Sequence, residues 1–173
     1  AILPEPAFTG GLTNTIHWQA RPGLEYELQR STTADFASNV STGFITAASS
    51  IQTGLREGVT YYYRLRQRTT GASAWTGEWS GTSESTQDIT PPTVELKQSD
   101  FFTTNSSIAI SDTVWDAAGA VSLVVNDPQA FTQTYPSENP GHTAWYLYSE
   151  TLSEGSKTWQ LTFRDAAGNS TTK

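Results

Sequence analysis

Tyr61-Tyr62-Tyr63-Arg64-Leu65-Arg66-Gln67-Arg68 decides the fold class. In an extended chain successive side chains point to opposite faces. Tyr61, Tyr63 and Leu65 therefore share one face, and Tyr62, Arg64, Arg66 and Arg68 the other. A helix would scatter both sets around its circumference, whereas a strand sorts them into an aromatic inner row and a basic outer row. The same period of two recurs on either side. Ile16 and Trp18 share a face, with His17 turned away, and so do Tyr26 and Leu28. Further on, Val94 and Leu96, then Ile108 and Ile110, then Val121, Leu123 and Val125, and finally Trp159, Leu161 and Phe163 mark four more alternating segments. No stretch keeps apolar residues at helical spacing over three turns. Short strands separated by Gly, Ser, Thr, Asn and Pro clusters at intervals of about ten residues form sandwiches or barrels. The expected class is all-β, with two tandem Greek-key β-sandwich domains.

The division into two comes from the stretch Ser83 to Pro92, which loses apolar alternation and ends in Pro91-Pro92. A diproline disfavours hydrogen-bonded structure and stiffens its own neighbourhood. The expected domains are residues 1–88 and 89–173, with six basic and eight acidic residues in the first and four and nine in the second. With 36% hydrophobic and 16% charged residues, the 173-residue chain has apolar material for packed cores and too little charge for disorder. A formal net charge of -7 repels phosphate backbones and anionic lipid, so nucleic acid is not an expected partner. The absence of cysteine rules out disulfides, thiolate metal sites and cysteine nucleophiles. No apolar run approaches the ~20 residues that span a bilayer, so membrane insertion is not expected. There is no methionine, and Ala1-Ile2-Leu3-Pro4-Glu5-Pro6 lacks the basic and apolar regions of a signal peptide. The chain reads as a piece of a longer polypeptide, whose neighbouring domains are its first expected partners.

Leu55-Arg56-Glu57-Gly58-Val59-Thr60-Tyr61, followed by Tyr63, Arg64 and Leu65, resembles the fibronectin type III pattern of a Leu, a Gly turn and a Tyr opening the penultimate strand. In that resemblance Trp18 is the core tryptophan, and Tyr61 is the corner tyrosine whose hydroxyl satisfies a backbone group between sheets. Glu78-Trp79-Ser80 resembles the family's last strand. The second half resembles a bacterial immunoglobulin-like domain. The residues that carry this are the opening Asp88-Ile89-Thr90-Pro91-Pro92-Thr93-Val94, the turn Asp116-Ala117-Ala118-Gly119, and Trp159 to Phe163 running into Arg164-Asp165-Ala166-Ala167-Gly168-Asn169. It departs from the pattern at Asp127-Pro128-Gln129, where an Asn-Gly turn is usual, which leaves the central hairpin open. Both resemblances imply spacer, adhesive or accessory modules of secreted or cell-surface proteins, and no enzyme.

The candidate chemistry is correspondingly sparse. The two histidines, His17 and His142, have no partner at metal-ligand spacing, and no nucleophile elbow, phosphate loop or dinucleotide fingerprint is present. No cofactor is required. Calcium is the one ion the residues suit, because Asp88 in the joint and Asp116, Asp165 and Asn169 in turns offer hard oxygen ligands. In relatives with repeated immunoglobulin-like domains such aspartates stiffen the joint. The competing reading is that Asp-Ala-Ala-Gly is a good turn without any metal, since Asp accepts local backbone hydrogen bonds and Gly supplies positive φ. Arg64, Arg66 and Arg68 either bind an anionic polymer or, in the favoured reading, stack on Trp75 and Trp79 as a structural ladder. Among the six tryptophans, Trp115 and Trp145 are the two candidates for exposure: they either serve as a platform for polysaccharide or a surface protein or, in the favoured reading, pack against the neighbouring domain or loops.

Overall fold

The computed structural model describes residues 1–73, 79–97, 100, 102–119, 121–150 and 152–173. Among the described residues every regular element is a strand. The fold class is all-β, and the chain divides into two compact units, Ala1–Ile89 and Thr90–Lys173.

The first unit holds β1 (Phe8–Gly10), β2 (Asn14–His17), β3 (Leu24–Ser31), β4 (Asn39–Ser41), β5 (Ser49–Gln52), β6 (Thr60–Thr69) and β7 (Ser80–Asp88). One sheet runs β1-β7-β6-β3-β4 and the other pairs β2 with β5, widened by a bridge between Ile2 and Trp18. The two sheets pack face to face as a β-sandwich. The alternation works as expected: Ile16 and Trp18 from one sheet meet Tyr26, Leu28, Tyr61, Tyr63 and Leu65 from the other, all buried in one core with Leu55. Trp18 lies against Tyr26, with ring centroids 5.9 Å apart.

A chain that leaves one sheet for the other must satisfy the backbone donors of the corner, and here it does so twice in the same way. Arg21-Pro22-Gly23-Leu24-Glu25-Tyr26 leads from β2 into β3, and Arg56-Glu57-Gly58-Val59-Thr60-Tyr61 leads from β5 into β6. In each, the fourth residue's N–H bonds the Arg carbonyl at 3.3 Å. The glycine takes a positive φ, 78° at Gly23 and 69° at Gly58, as the third position of a type II turn requires. The tyrosine two residues beyond the turn then reaches back. Tyr61 Oη accepts the Arg56 N–H at 3.1 Å, and Tyr26 Oη accepts the Arg21 N–H at 2.7 Å. The resemblance had singled out Tyr61; Tyr26 is its duplicate.

One stretch differs from expectation. Residues 83–88, read as the start of a linker, belong to β7, which pairs antiparallel with β6 and parallel with β1. Its buried residues are Ser85, Gln87 and Asp88, so the strand carries no apolar residue inward. Thr9 meets the first two side chains, Ser85 Oγ against Thr9 Oγ1 at 3.0 Å and Gln87 Nε2 donating to Thr9 Oγ1 at 2.7 Å, while Gln87 Oε1 is buried without a protein partner among the described residues. Between Arg64 and Leu65 the register of β6 on β7 shifts past Gly81, a bulge.

The second unit holds β8 (Thr93–Val94), β9 (Ile108–Trp115), β10 (Ser122–Val125), β11 (Phe131–Pro136), β12 (His142–Ser149), β13 (Leu161–Arg164) and β14 (Ser170–Thr172). Sheets β8-β9-β12-β11 and β10-β13-β14 give the four-plus-three order of a constant-type immunoglobulin sandwich. Val94, Val114, Val121, Leu123, Trp145, Leu147, Leu161 and Phe163 make the core. Asp127-Pro128-Gln129, where the hairpin was left open, carries the chain from β10 to β11 and so from one sheet to the other. Asp127 holds that corner: its carboxylate accepts the Gln129 N–H at 2.9 Å and the Trp159 indole N–H at 3.1 Å.

Tyr26→Phe and Tyr61→Phe keep the rings and remove only the acceptors, leaving a part-buried N–H at each corner. Each is expected to lower the unfolding free energy by about 1–2 kcal/mol in urea titration. Equal losses would show that the two corners are energetic as well as geometric duplicates.

Candidate functional site

Three places carry the functional side chains, and each is built by strand register or turn chemistry. On the outer face of the first unit, β3 and β6 pair so that Gln29 stands opposite Arg64, Glu27 opposite Arg66 and Glu25 opposite Arg68. The basic row anticipated on β6 therefore meets an acidic and amide row on β3. Arg64 donates from Nε and Nη2 to Gln29 Oε1 at 3.0 and 2.8 Å. Arg66 Nε donates to Glu27 Oε2 at 2.6 Å, and Arg68 Nε to Glu25 Oε1 at 2.5 Å.

Aromatic rings close over these planes. The Arg64 guanidinium carbon lies 4.2 Å from the Trp79 ring and 4.2 Å from the Phe36 ring, so it is held between two rings. Arg66 lies 4.6 Å from Trp79, and Arg68 lies 3.3 Å from Phe44. Such contacts grow stronger as the cation loses water. Phe36 reaches its place with φ at 56°, a left-handed backbone that a bulky residue adopts only when its surroundings hold it there. Of the two tryptophans expected in the ladder, Trp79 takes part, while Trp75 lies outside the described residues. Phe36 and Phe44 were not anticipated; they come from the loops flanking β4, and no alternation marks them.

The second place is a pair of turns with the same four residues. Asp116-Ala117-Ala118-Gly119 follows β9 and Asp165-Ala166-Ala167-Gly168 follows β13. Each closes through the Gly N–H on the Asp carbonyl, at 3.1 Å in the first and 3.3 Å in the second. Asp116 Oδ1 accepts the Ala118 N–H at 2.8 Å. Asp165 accepts the Asn169 N–H at 2.8 Å and, through its other oxygen, the Asn169 side-chain N–H at 3.0 Å. Both aspartates are buried, and each has a carboxylate oxygen within 4.8 Å of the other's. The turn function foreseen for these residues is present. The fold also brings the two carboxylates together, with Asn169 bonded to one of them. Asp88 is the last residue of β7, buried, two positions before the second unit begins.

The third place corrects an expectation. Trp145 is not exposed: it is 1% accessible and packs edge-on against Phe163, with centroids 5.5 Å apart. The register of β12 on β9 puts Thr143 beside Val114 and Leu147 beside Ile110, and Trp145 lies on the same inner face. The outward side of this strand carries Tyr146 and Tyr148 instead, with nearly parallel rings 6.4 Å apart at 15°. Trp115 is exposed, at 41%. Its indole lies against Gly141, where an added Cβ would come within 2.8 Å of the ring nitrogen.

No family model matches the chain, and no curated protein matches it. Among solved structures it is similar to the chicken CNTN1 FN1-FN3 domains, at 9% identity and a TM-score of 0.49. That alignment covers 100% of this chain and 62% of the other, so the chain spans less than two thirds of that structure.

Glu27 makes the ladder sensitive to acid. Burial alone raises its pKa, but hydrogen bonds from Ser41, Arg66 and Gln29 and the Arg66 charge outweigh that and hold the carboxyl below its ordinary 4.5. A depressed folded pKa contributes stability above the unfolded value and loses it as pH falls through the folded one. Melting temperatures measured downward from pH 6 should therefore drop below about pH 4.5, and Glu27→Gln should flatten that part of the curve.

Proposed function

We propose that this chain is a noncatalytic structural and accessory module, holding or orienting other domains of a larger secreted or cell-surface protein of bacterial type. The observation that carries the reading is that each unit is a complete sandwich with its own core, and that the polar outer face of the first is tied up internally. In β6 all three outward guanidiniums meet both an acceptor on β3 and an aromatic ring. A face so occupied offers an anionic polymer little. The test is replacement. Exchanging residues 1–173 in the parent polypeptide for an unrelated tandem sandwich of equal length should preserve the parent's activity. Loss of activity with the replacement folded would rule out a pure spacer.

A second property is favoured by the paired turns. Two buried carboxylates with oxygens within 4.8 Å repel one another, and a divalent cation relieves that repulsion. Asp116 and Asp165 are the proposed calcium ligands of the second unit, with Asn169 orienting Asp165. Calcium about 100-fold above its dissociation constant would add about 2.7 kcal/mol to the stability of the folded chain. Calorimetry in calcium and in chelator should show a rise in melting temperature that Asp116→Asn and Asp165→Asn each abolish. Asp116→Asn should also raise the melting temperature in chelator, because it removes the repulsion. Identical melts with and without calcium would overturn the proposal.

A further inference from the structure

The outer face of sheet β8-β9-β12-β11 takes no part in the ladder or the paired turns, and its composition is unlike the rest of the chain. Along β12 the outward positions form four rungs, set by pairing with β11 and β9. Trp115 stands at the first and Tyr135 at the second, across from Ala144. Tyr146 makes the third, and Tyr148 beside Phe131 the fourth. Successive rungs on one face are about 7 Å apart, so the aromatic track runs about 20 Å along the strand. Phe131, Tyr135 and Trp115 are exposed, and Tyr146 and Tyr148 are half-buried.

At the second rung the small side chain of Ala144 leaves a gap between Tyr135 and Tyr146. That gap is part of a shallow trough of about 470 Å³, bordered on the β9 side by Ser111 and Thr113. The size lies within the range of small-ligand sites. Rings form its walls and hydroxyls line one side.

Charge identifies the occupant. In a chain of net charge -7, no Asp, Glu, Lys or Arg stands at the outward positions of β9, β11 or β12. The charges at the trough's border are Lys97 and Asp112, which neutralise each other at 3.0 Å. An uncharged face of tyrosine, phenylalanine and tryptophan interleaved with Ser111, Thr113 and Gln133 complements a ligand that is neutral, hydroxyl-rich and flat on its apolar side. Its length complements a linear ligand. Aromatic rings suit protein interfaces as well, but serine and alanine are depleted there, and here they alternate with the rings.

We propose that this face binds a linear, neutral polysaccharide, with successive sugar rings stacking on the Tyr146–Tyr148 track and one seated over Ala144. This goes beyond a spacer role and is independent of it. The experiment is retention of the whole 173-residue chain on insoluble cellulose and chitin, and affinity electrophoresis in soluble xylan, mixed-linkage β-glucan and, as an anionic control, alginate. Tyr146→Ala removes a platform ring, Ala144→Leu fills the trough without removing any ring, and Ile51→Ala on the first unit serves as the control. Melting curves confirm that each variant folds.

The expected result is retention by at least one neutral polymer that persists in high salt. Tyr146→Ala and Ala144→Leu should each weaken it about tenfold, and Ile51→Ala should not change it. No retention by any neutral polymer would overturn the proposal, as would retention that both folded variants keep in full. Binding to alginate alone, lost in salt, would point to a charged site elsewhere and overturn it too. So would a concentration-dependent dimer in sedimentation that Tyr146→Ala disperses, because the face would then belong to a second copy.

Discussion

A two-sheet sandwich depends on how its chain turns from one sheet to the other, since a corner interrupts the ladder of backbone hydrogen bonds and exposes donors beside an apolar core. In the first unit the acceptor is a tyrosine hydroxyl five residues ahead of the donor, at Arg21 with Tyr26 and at Arg56 with Tyr61. These corners begin β3 and β6, which are neighbours. With both starting points anchored, the register follows: Leu28 falls opposite Leu65 in the core, and on the outside Glu27 falls opposite Arg66. A slip of one residue would turn every inward ring outward. The core and the charged ladder are thus two faces of one alignment set by two phenol hydroxyls.

How much of this was legible in the sequence depended on which side chains filled the inner positions. Where they were apolar and their neighbours polar, as in Tyr61 to Arg68, a period of two was enough. It failed in β7, whose inner positions are Ser85 and Gln87. No hydropathy pattern separates such a strand from a polar linker, because the partner that makes the positions inward, Thr9, lies far away in the sequence. In β12 the difficulty was the reverse. Trp145, Tyr146, Leu147 and Tyr148 are apolar on both faces, so alternation could not say which ring was buried. That is settled by Ile110 and Val114 across the pair. Two signals lay in plain view as internal repeats, Arg-x-Gly-x-x-Tyr and Asp-Ala-Ala-Gly. The first marks both corners. The second marks both carboxylate turns, although only the fold shows that the two turns come together.

The two units treat their open sheet faces differently. In the first, β3 and β6 cover the outward face with cross-strand ion pairs and then with Trp79, Phe36 and Phe44, so long polar side chains become part of the structure. In the second, β9, β11 and β12 leave uncharged rings and hydroxyls facing outward. One arrangement rigidifies a wall, and the other leaves a surface with unsatisfied capacity for contact.

The parallel pairing of β1 with β7 also bears on how the chain is made. Phe8 aligns with Thr86 and Gly10 with Asp88, and the Glu5 N–H donates to Ser83 Oγ across 78 positions. During synthesis the first strand therefore has no sheet to join until residue 88 has left the ribosome. Such long-range closure places sandwiches among the slower-folding small domains. Until then this unit exposes both the unpaired β1 and the edge of β6 that β7 will cover. A truncation anywhere short of β7 would leave both edges open to other chains, so the last strand acts as a completeness check on the whole unit.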